Sequence, residues 1–246
     1  MINKIVKGFK YLFDKIRFSF KEKRLGKLKY IYEQNGSDEL IIVFSAFTAV
    51  PKYNYMKTLA EAKIDKIFIL DNFGYRGSYY WYEGGKNTPN ALVSKLMGRI
   101  IGEKKYKKIY TAGSSKGGTS AIYFGLKFNV GEVFCSACQY HVGDYLNTDF
   151  DNRKKIMEGM MGKNYTSVIV RKLNEELPLM IEDNAHSNTI INLYYSEKDN
   201  TYQKHIVYLM NDLKSAEIQY TTTIDDYVDH GDNGIYFSKH LKKRFS

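Results

Sequence analysis

One stretch decides the fold of this chain: Lys107-Lys-Ile-Tyr-Thr-Ala-Gly-Ser-Ser-Lys-Gly-Gly-Thr-Ser-Ala-Ile-Tyr-Phe-Gly-Leu-Lys127. Its start is typical of a buried strand, glycines then mark a tight turn, and the remainder reads as a helix. Inside the turn, Gly113-Ser-Ser-Lys-Gly117 matches the pattern G-x-S-x-G. The stretch therefore predicts a strand, a sharp turn and a helix in immediate succession, with Ser115 at the tip of the turn.

The G-x-S-x-G pattern is typical of the nucleophile elbow of α/β-hydrolases. In such a turn the serine has a strained backbone, and the residues two before and two after it approach so closely that both must be small. Gly113 and Gly117 meet this requirement, and Gly118 leaves room for the helix to pack on the sheet. A plain strand-to-helix turn remains an alternative. A phosphate-binding P-loop is disfavoured because Thr119, rather than Lys, follows Gly118.

Strands and helices alternate on both sides of this stretch. Strands are expected at 28–33, 39–44, 66–70, 132–137, 189–195 and 218–224, and residues 54–63 read as helical. This alternation predicts an α/β-hydrolase fold, with a mostly parallel central sheet and helices on both faces. Residues 141–186 break the rhythm with two polar helical segments and no clear strand. We therefore expect a small helical cap inserted at about 141–186 in a domain that spans 28–246.

The N-terminal region has a different character. Residues 1–29 contain ten Lys and Arg against two acidic residues, a net charge of +8 out of +10 for the chain. Apolar side chains from Ile2 to Phe20 recur at helical spacing, so we predict a basic amphipathic helix over 1–27. Such a helix can bind an anionic membrane surface. Packing on its own domain or on a partner subunit remains an alternative.

The rest of the chain is close to neutral, which disfavours a nucleic-acid partner. The two cysteines, Cys135 and Cys138, provide no disulfide framework, as expected in a reducing compartment. No stretch reaches the length of a membrane span, and the N-terminus lacks the apolar core of a signal peptide. These observations predict a cytoplasmic protein that is peripheral on the inner face of the cytoplasmic membrane if the N-terminal helix binds there.

The cysteines form a C-x-x-C match at the end of an apolar strand, where positions i and i+3 point to opposite faces. No second cysteine or histidine pair lies at metal-binding spacing. We therefore expect two core cysteines, and the sequence predicts no metal and no other cofactor. The oligomeric state is not predicted.

An elbow serine needs a base and an orienting acid, which in α/β-hydrolases follow in the order serine, acid, histidine. Asp199 lies just past the strand that ends at Tyr195, and His230 lies in a loop rich in Gly and Asp before the last helix. We predict that His230 takes the proton of Ser115 and that Asp199 fixes its tautomer. Alternatives for the acid are Asp225, Asp226 and Glu197, and His141 is a reserve site residue.

Two further groups complete the predicted site. The backbone N–H of Lys116 would supply half of an oxyanion hole, and the loop after the strand 39–44, at Ala46 or Phe47, would supply the other half.

The loop Asp71–Tyr82 is polar and aromatic and follows a strand beside the elbow strand. Its Arg76 would clamp a carboxylate or phosphate. Tyr79 and Trp81 would stack on sugar rings. The alternative is a rigid aromatic loop packed under the cap, with Arg76 paired to a local acid.

The Gly-Ser-Ser-Lys-Gly-Gly turn, the loop Asp71-Asn-Phe-Gly-Tyr-Arg-Gly-Ser-Tyr-Tyr-Trp81 and the late Asp229-His-Gly231 resemble bacterial capsular polysaccharide biosynthesis proteins of the XcbB/CpsF type. They are also similar to the α/β-hydrolase-like O-acetyltransferase of the accessory secretion system, which modifies glycans on adhesins. The resemblance covers about residues 28–246. It implies action on cell-surface glycans, with Ser115 as nucleophile, His230 as base and Asp199 as acid.

The expected function is that of a serine-dependent acyl hydrolase or O-acyltransferase acting on a cell-surface or capsular polysaccharide through an acyl-Ser115 intermediate. Its partner would be a polysaccharide or an acylated sugar. Two alternatives remain: a non-catalytic glycan-binding or assembly factor on a hydrolase scaffold, and a generic esterase of small esters.

Overall fold

The computed structural model describes residues 21–246. Its strands are β1 Glu22–Leu25, β2 Leu28–Glu33, β3 Glu39–Phe44, β4 Asp65–Leu70, β5 Lys108–Ser114, β6 Glu132–Ser136, β7 Ile190–Tyr195 and β8 Tyr220–Ile224. Its helices are α1 Thr88–Glu103, α2 Lys116–Lys127, α3 Val142–Leu146, α4 Asp151–Met161, α5 Ser167–Glu182, α6 Val207–Ser215 and α7 Asn233–Phe245. A π-helical turn covers Tyr202–Ile206, and a 3₁₀ turn covers His230–Asp232.

The strands form one sheet in the order β1-β2-β4-β3-β5-β6-β7-β8. The strands from β4 to β8 along this order pair in parallel, and β1 and β2 add an antiparallel edge. The predicted mostly parallel sheet is thus confirmed. Because β4 and β5 lie on opposite sides of β3, the order of the strands reverses between β3 and β5. Parallel sheets form their ligand crevices at such a reversal, outside the carboxyl ends of the strands.

Helices cover both faces of the sheet, as predicted. Along β3, Leu40, Ile42 and Phe44 pack into the core beneath α1, α2, α5 and α6. The intervening Ile41 and Val43 pack into a second core that includes α7. Successive side chains of a strand point to opposite faces, so a strand covered on both sides is a continuous apolar run.

The interval 141–186 contains α3, α4 and α5, all between β6 and β7. The predicted helical content is therefore present. Helix α5 packs against α2 and contributes Leu173, Leu177 and Ile181 to the core over the sheet. The role of this insertion as a cap stays a prediction.

Two helix predictions are wrong. The expected helix over 1–27 cannot extend to its predicted end, because Glu22–Leu25 form β1 and pair antiparallel with β2 across a turn at Gly26. Lys21, Arg24 and Lys29 lie in ion pairs with glutamates of this hairpin, so their charges belong to the sheet edge. The rest of the helix prediction, residues 1–20, lies outside the described residues. Residues 56–61 form successive turns rather than the helix expected over 54–63.

The turn between β5 and α2 is closed by contact between its glycines. A Cβ on Gly113 would lie 2.1 Å from the carbonyl oxygen of Gly117, and a Cβ on Gly117 would lie 2.5 Å from the carbonyl oxygen of Phe44. Both contacts are with backbone, which cannot move aside as a flexible side chain could. The predicted need for small residues at these two positions is confirmed.

We expect Gly113→Ala to lower the free energy of unfolding by about 3 kcal/mol or more, because the added methyl overlaps backbone atoms. Gly102→Ala is the matched control, since a Cβ there meets nothing within 4 Å and the residue is exposed in α1. That control should be neutral or stabilising by up to about 1 kcal/mol. Urea unfolding measures both, and equal midpoints for Gly113→Ala and the wild type would contradict the predicted overlap.

Candidate active site

The elbow holds Ser115 in a strained conformation. Strand β5 ends at Ser114 and α2 begins at Lys116, so one residue makes the reversal. Ser115 has φ 51° and ψ −125°, a region that side-chain-bearing residues rarely adopt. Its N–H donates to the carbonyl of Ser136 at 2.8 Å, which secures the strained residue to β6.

The structure brings Ser115, His230 and Asp199 together. His230 Nε2 lies 3.0 Å from Ser115 Oγ, and His230 Nδ1 lies 2.7 Å from Asp199 Oδ2. A carboxylate can only accept, so the imidazole proton is on Nδ1 and Nε2 is free to accept the hydroxyl proton of Ser115. The arrangement can therefore draw a proton away from Ser115.

Asp199 is suited to stay charged. Burial of its side chain acts to raise its pKa, but hydrogen bonds from His230 and Thr201 outweigh this effect and hold the pKa below its usual range. Thr201 donates to Asp199 Oδ1 from both its backbone N–H and its hydroxyl, each at 2.9 Å. Asp199 is therefore a carboxylate at neutral pH, with its second oxygen left for His230.

The alternative acids lie elsewhere. Asp225 pairs with His240 at 2.8 Å, and Asp226 pairs with Lys198 at 2.5 Å. Among residues 21–246, neither of them nor Glu197 hydrogen-bonds His230.

The reserve histidine, His141, packs its ring against Tyr208 and near His205. It makes no hydrogen bond to Ser115 in the described part of the chain. Burial lowers the pKa of His205 to about 4, so that imidazole is neutral at physiological pH.

Three backbone N–H groups are predicted donors for the oxyanion hole, and their hydrogen bonds differ. The N–H of Lys116 is at the first position of α2, where a helix offers no internal acceptor. Ala46 was one expected partner, but its N–H donates to Asn54 Oδ1 at 3.0 Å and is therefore already used. The N–H of Phe47, one residue further, donates no hydrogen bond within residues 21–246. The prediction of Ala46 is wrong because the Asn54 side chain folds back over the start of its loop.

Tyr79 and Trp81 do not reach the surface. They are 0% and 1% exposed, and their rings stack on each other at 5.4 Å. Trp81 also packs on Tyr123, and Tyr79 meets the edge of Phe47. No ring face remains open to a sugar, so their prediction as substrate-binding residues is wrong. The alternative of a packed loop is confirmed for Tyr79 and Trp81.

Arg76 has a different environment from these aromatics. It is half-buried, its guanidinium lies 5.5 Å from the Tyr75 ring, and its Nε is buried without a hydrogen-bond partner among residues 21–246. The alternative of a pairing with a local acid is not among the ion pairs of these residues, and the role of Arg76 in binding an anion stays a prediction.

A buried ion pair joins this loop to the elbow. Lys116 Nζ lies 2.6 Å from Asp71 Oδ2, and both side chains are fully buried. The same Asp71 oxygen accepts the backbone N–H groups of Ser78 and Tyr80, which turns the loop inward. Burial lowers the pKa of Lys116, and the attraction of Asp71 opposes that effect. A Cβ on Gly77 would lie 2.9 Å from both charged groups.

Sequence reasoning also missed Gln139. Its Nε2 lies 2.8 Å from Ser115 Oγ, and the residue is fully buried. The only signal for Gln139 is its place in the chain, just past the end of β6. Strands β5 and β6 are neighbours with Ser114 opposite Ser136, so residues just past β6 lie at the same edge of the sheet as Ser115. The sequence did not suggest that strand neighbourhood in advance.

No family model matches the sequence, and no curated protein sequence matches it. Solved structures do resemble it. The capsule O-acetyltransferase of Neisseria meningitidis serogroup A has TM-score 0.77 and 23% identity, covering 91% of this chain and 93% of that one. FphF, a fluorophosphonate-binding serine hydrolase of Staphylococcus aureus, has TM-score 0.59 and 13% identity, covering 92% and 96%. The chain has the α/β-hydrolase fold.

A third resemblance is to the Glycosylation Associate Protein (Gap123) complex of Streptococcus agalactiae. It has TM-score 0.72 and 17% identity, covering 91% of this chain and 46% of that one. At these identities the likenesses establish the α/β-hydrolase fold, and function must be argued from the site.

We expect Lys116→Met to lower the free energy of unfolding by about 3–5 kcal/mol, because it leaves Asp71 buried without its cation. The double variant Lys116→Met with Asp71→Asn should lose less than the sum of the two single variants. Lys107→Met is the matched control, because its ion pair with Asp38 is exposed, with 79% and 53% of the two side chains accessible. That control should leave the midpoint of unfolding close to that of the wild type, because water and salt screen an exposed pair. Additive losses in the double variant would contradict the coupling.

Proposed function

We propose that the protein is a serine acyltransferase that forms an acyl ester on Ser115 and passes the acyl group to a polysaccharide hydroxyl. The observation that carries this proposal is the hydrogen-bonded chain from Ser115 through His230 to Asp199, at 3.0 and 2.7 Å, on a strained elbow. Strained backbone of this kind persists where the surrounding structure enforces it, and it concentrates at functional sites.

In the proposed reaction, Ser115 Oγ attacks the acyl carbonyl while its proton moves to His230 Nε2. Asp199 holds the imidazole in the required tautomer and stabilises the imidazolium. The N–H groups of Lys116 and Phe47 donate to the oxyanion. His230 then protonates the leaving group. In the second half, His230 takes the proton of the acceptor hydroxyl, which attacks the ester and releases Ser115.

The donor and acceptor are proposed from the neighbours. A structure of the meningococcal capsule O-acetyltransferase carrying a histidine-to-alanine substitution is in complex with CoA, with TM-score 0.77 to this chain. We therefore propose an acetyl thioester of coenzyme A as donor, acting as a substrate, and a cell-surface or capsular polysaccharide as acceptor. Arg76, whose Nε has no hydrogen-bond partner among residues 21–246, is proposed to bind an anionic group of one of them.

A second candidate is a carbohydrate esterase, with water as the acceptor. The likeness to a ferulic acid esterase, at TM-score 0.58, favours it. The choice depends on whether water or a sugar hydroxyl reaches the acyl ester first. A non-catalytic assembly role is supported by the likeness to the Gap123 complex, but the aligned Ser115, His230 and Asp199 argue for chemistry.

We expect Ser115→Ala to abolish both fluorophosphonate labelling and acetyl transfer, and His230→Ala to lower transfer by about 1,000-fold or more. Purified protein, isotope-labelled acetyl-CoA and de-O-acetylated capsular polysaccharide provide the assay, with thiol release and polysaccharide-bound labelled acetyl measured in parallel. Acetyl on the polysaccharide indicates transfer, and thiol release without it indicates hydrolysis.

Ser114→Ala is the matched control. The Ser114 hydroxyl is the neighbour of Ser115, but it hydrogen-bonds Tyr55 rather than His230. It should keep its labelling and its transfer rate. A wild type that neither takes the label nor turns over acyl esters would overturn the proposed enzyme and favour the binding role.

We also propose a cytoplasmic location in which residues 1–20 hold the protein on the inner face of the membrane. Their sequence combines apolar residues at helical spacing with Lys4, Lys7, Lys10, Lys15 and Arg17. No helix within residues 21–246 is long and apolar enough to cross a membrane. An acyltransferase placed there would meet a polysaccharide during its assembly.

Deleting residues 1–20, which leaves β1 in place, should abolish co-sedimentation with vesicles containing phosphatidylglycerol at low salt. Vesicles of phosphatidylcholine alone are the control and should bind neither protein. Undiminished binding of the shortened protein to the anionic vesicles would rule out this anchor.

A further inference from the structure

The side chain of Gln139 is fully buried and touches the nucleophilic oxygen. Its Nε2 lies 2.8 Å from Ser115 Oγ, on which His230 Nε2 also converges at 3.0 Å. A polar side chain removed from water needs hydrogen-bond partners, and one partner of this amide is the atom on which the proposed chemistry depends.

The hydrogen-bond network fixes which end of the amide faces Ser115. His230 carries its proton on Nδ1 toward Asp199, so the Ser115 hydroxyl must donate to Nε2. Ser115 Oγ can then only accept from Gln139, which requires the NH₂ group on that side. The amide oxygen at the other end accepts the hydroxyl of Tyr79 at 3.3 Å, in agreement with this orientation.

The rest of Gln139 is held independently of its amide. Its backbone N–H donates to Thr119 Oγ1 at 3.0 Å, and the same hydroxyl donates to its carbonyl at 2.7 Å. Thr119 belongs to α2, one turn beyond Ser115. Tyr79 is fixed by its stacking on Trp81 and its edge contact with Phe47. The amide is thus held in place from two sides before any substrate binds.

We propose that Gln139 is a further catalytic residue, whose side-chain amide stabilises the negative charge that develops on Ser115 Oγ in both halves of the reaction. The proposal rests on the proposed role of Ser115 as nucleophile. It also gives the buried aromatic residues of the loop Asp71–Tyr82 a function, since Tyr79 positions the amide.

The electron count on Oγ allows this contact to persist throughout. In the resting state Oγ has one bond to carbon, one proton that it donates to His230, and two lone pairs. One of these lone pairs accepts the N–H of Gln139. The other attacks the acyl carbonyl while the proton moves to His230. When the acceptor hydroxyl attacks the ester, the C–Oγ bond breaks, its electron pair returns to Oγ, and His230 returns a proton. Gln139 donates to Oγ as charge builds in each step.

The test uses Gln139→Met, which keeps the size and removes the donor, and Gln139→Glu, which keeps the shape and replaces the donor with a carboxylate. Rapid-quench mass spectrometry measures formation and breakdown of the acyl-enzyme from acetyl-CoA. Fluorophosphonate labelling measures the reactivity of Ser115 alone. We expect Gln139→Met to slow acylation, deacylation and labelling by about 10- to 100-fold, with little change in the KM for the donor.

Gln139→Glu distinguishes a catalytic role from a structural one through the pH dependence of the labelling rate. A protonated glutamic acid can donate to Oγ, whereas the carboxylate repels the developing charge. Because the position is fully buried, the pKa of a glutamic acid there should be raised above its ordinary value of about 4.3, so the ratio of wild-type to variant labelling rates should rise with pH between about pH 5 and pH 9. A ratio that does not change with pH would overturn the proposal.

The control is Asn192→Leu, which removes an amide that hydrogen-bonds Glu132 and Val133 rather than Ser115. It should lower stability and leave the labelling rate unchanged. If Gln139→Met reacts as fast as the wild type, Gln139 is not catalytic and the proposed function stands. If the wild type labels faster than Gln139→Met but forms no acyl-enzyme, the transferase proposal fails and the role of Gln139 stands. A wild type that resists the label overturns both.

Discussion

The contact between the backbone of Gly113 and the carbonyl of Gly117 is the constraint on which the site depends. A side chain at either position would overlap backbone atoms, at 2.1 and 2.5 Å from the nearest oxygen. With both positions reduced to glycine, α2 can start one residue after β5 ends, and Ser115 is forced into its strained conformation. The hydroxyl then stands at the carboxyl edge of the sheet, where the strand order reverses and where His230 and Asp199 arrive from the loops after β8 and β7.

The elbow is stabilised from outside by the loop that follows β4. Asp71 accepts hydrogen bonds from two backbone N–H groups of that loop and forms an ion pair with Lys116, the residue directly after Ser115. A buried ion pair contributes little net stability compared with apolar residues of the same volume, so its value here is geometric. It fixes the start of α2, whose first N–H is a proposed oxyanion donor, and the same loop carries Tyr79 to the amide of Gln139.

The sequence predicted those features that depend on local pattern. The alternation of apolar runs, the small residues of Gly113-Ser-Ser-Lys-Gly117, and the order of Ser115, Asp199 and His230 all follow from rules that act within a few residues or along strand order. The structure differs where long-range packing decides. Tyr79 and Trp81 lie in a loop rich in polar residues, but Asp71 and Lys116 draw that loop inward across a separation of 45 residues. Glu22–Leu25 form a strand because their backbone pairs antiparallel with β2.

The same limit explains what was missed at the site. Asn54 blocks Ala46 through a side-chain contact that no spacing rule anticipates. Gln139 reaches Ser115 only because β6 lies beside β5, a neighbourhood set by the topology of the whole sheet.

The central claim is that Ser115 carries an acyl group during turnover. Incubation with acetyl-CoA, rapid acid quench and peptide mass spectrometry test it directly. We expect one acetyl group on the peptide containing Ser115, located on that residue, and its disappearance when polysaccharide is added before the quench. Acetyl transfer to polysaccharide with no acetyl ever detected on Ser115, and with Ser115→Ala still active, would contradict it.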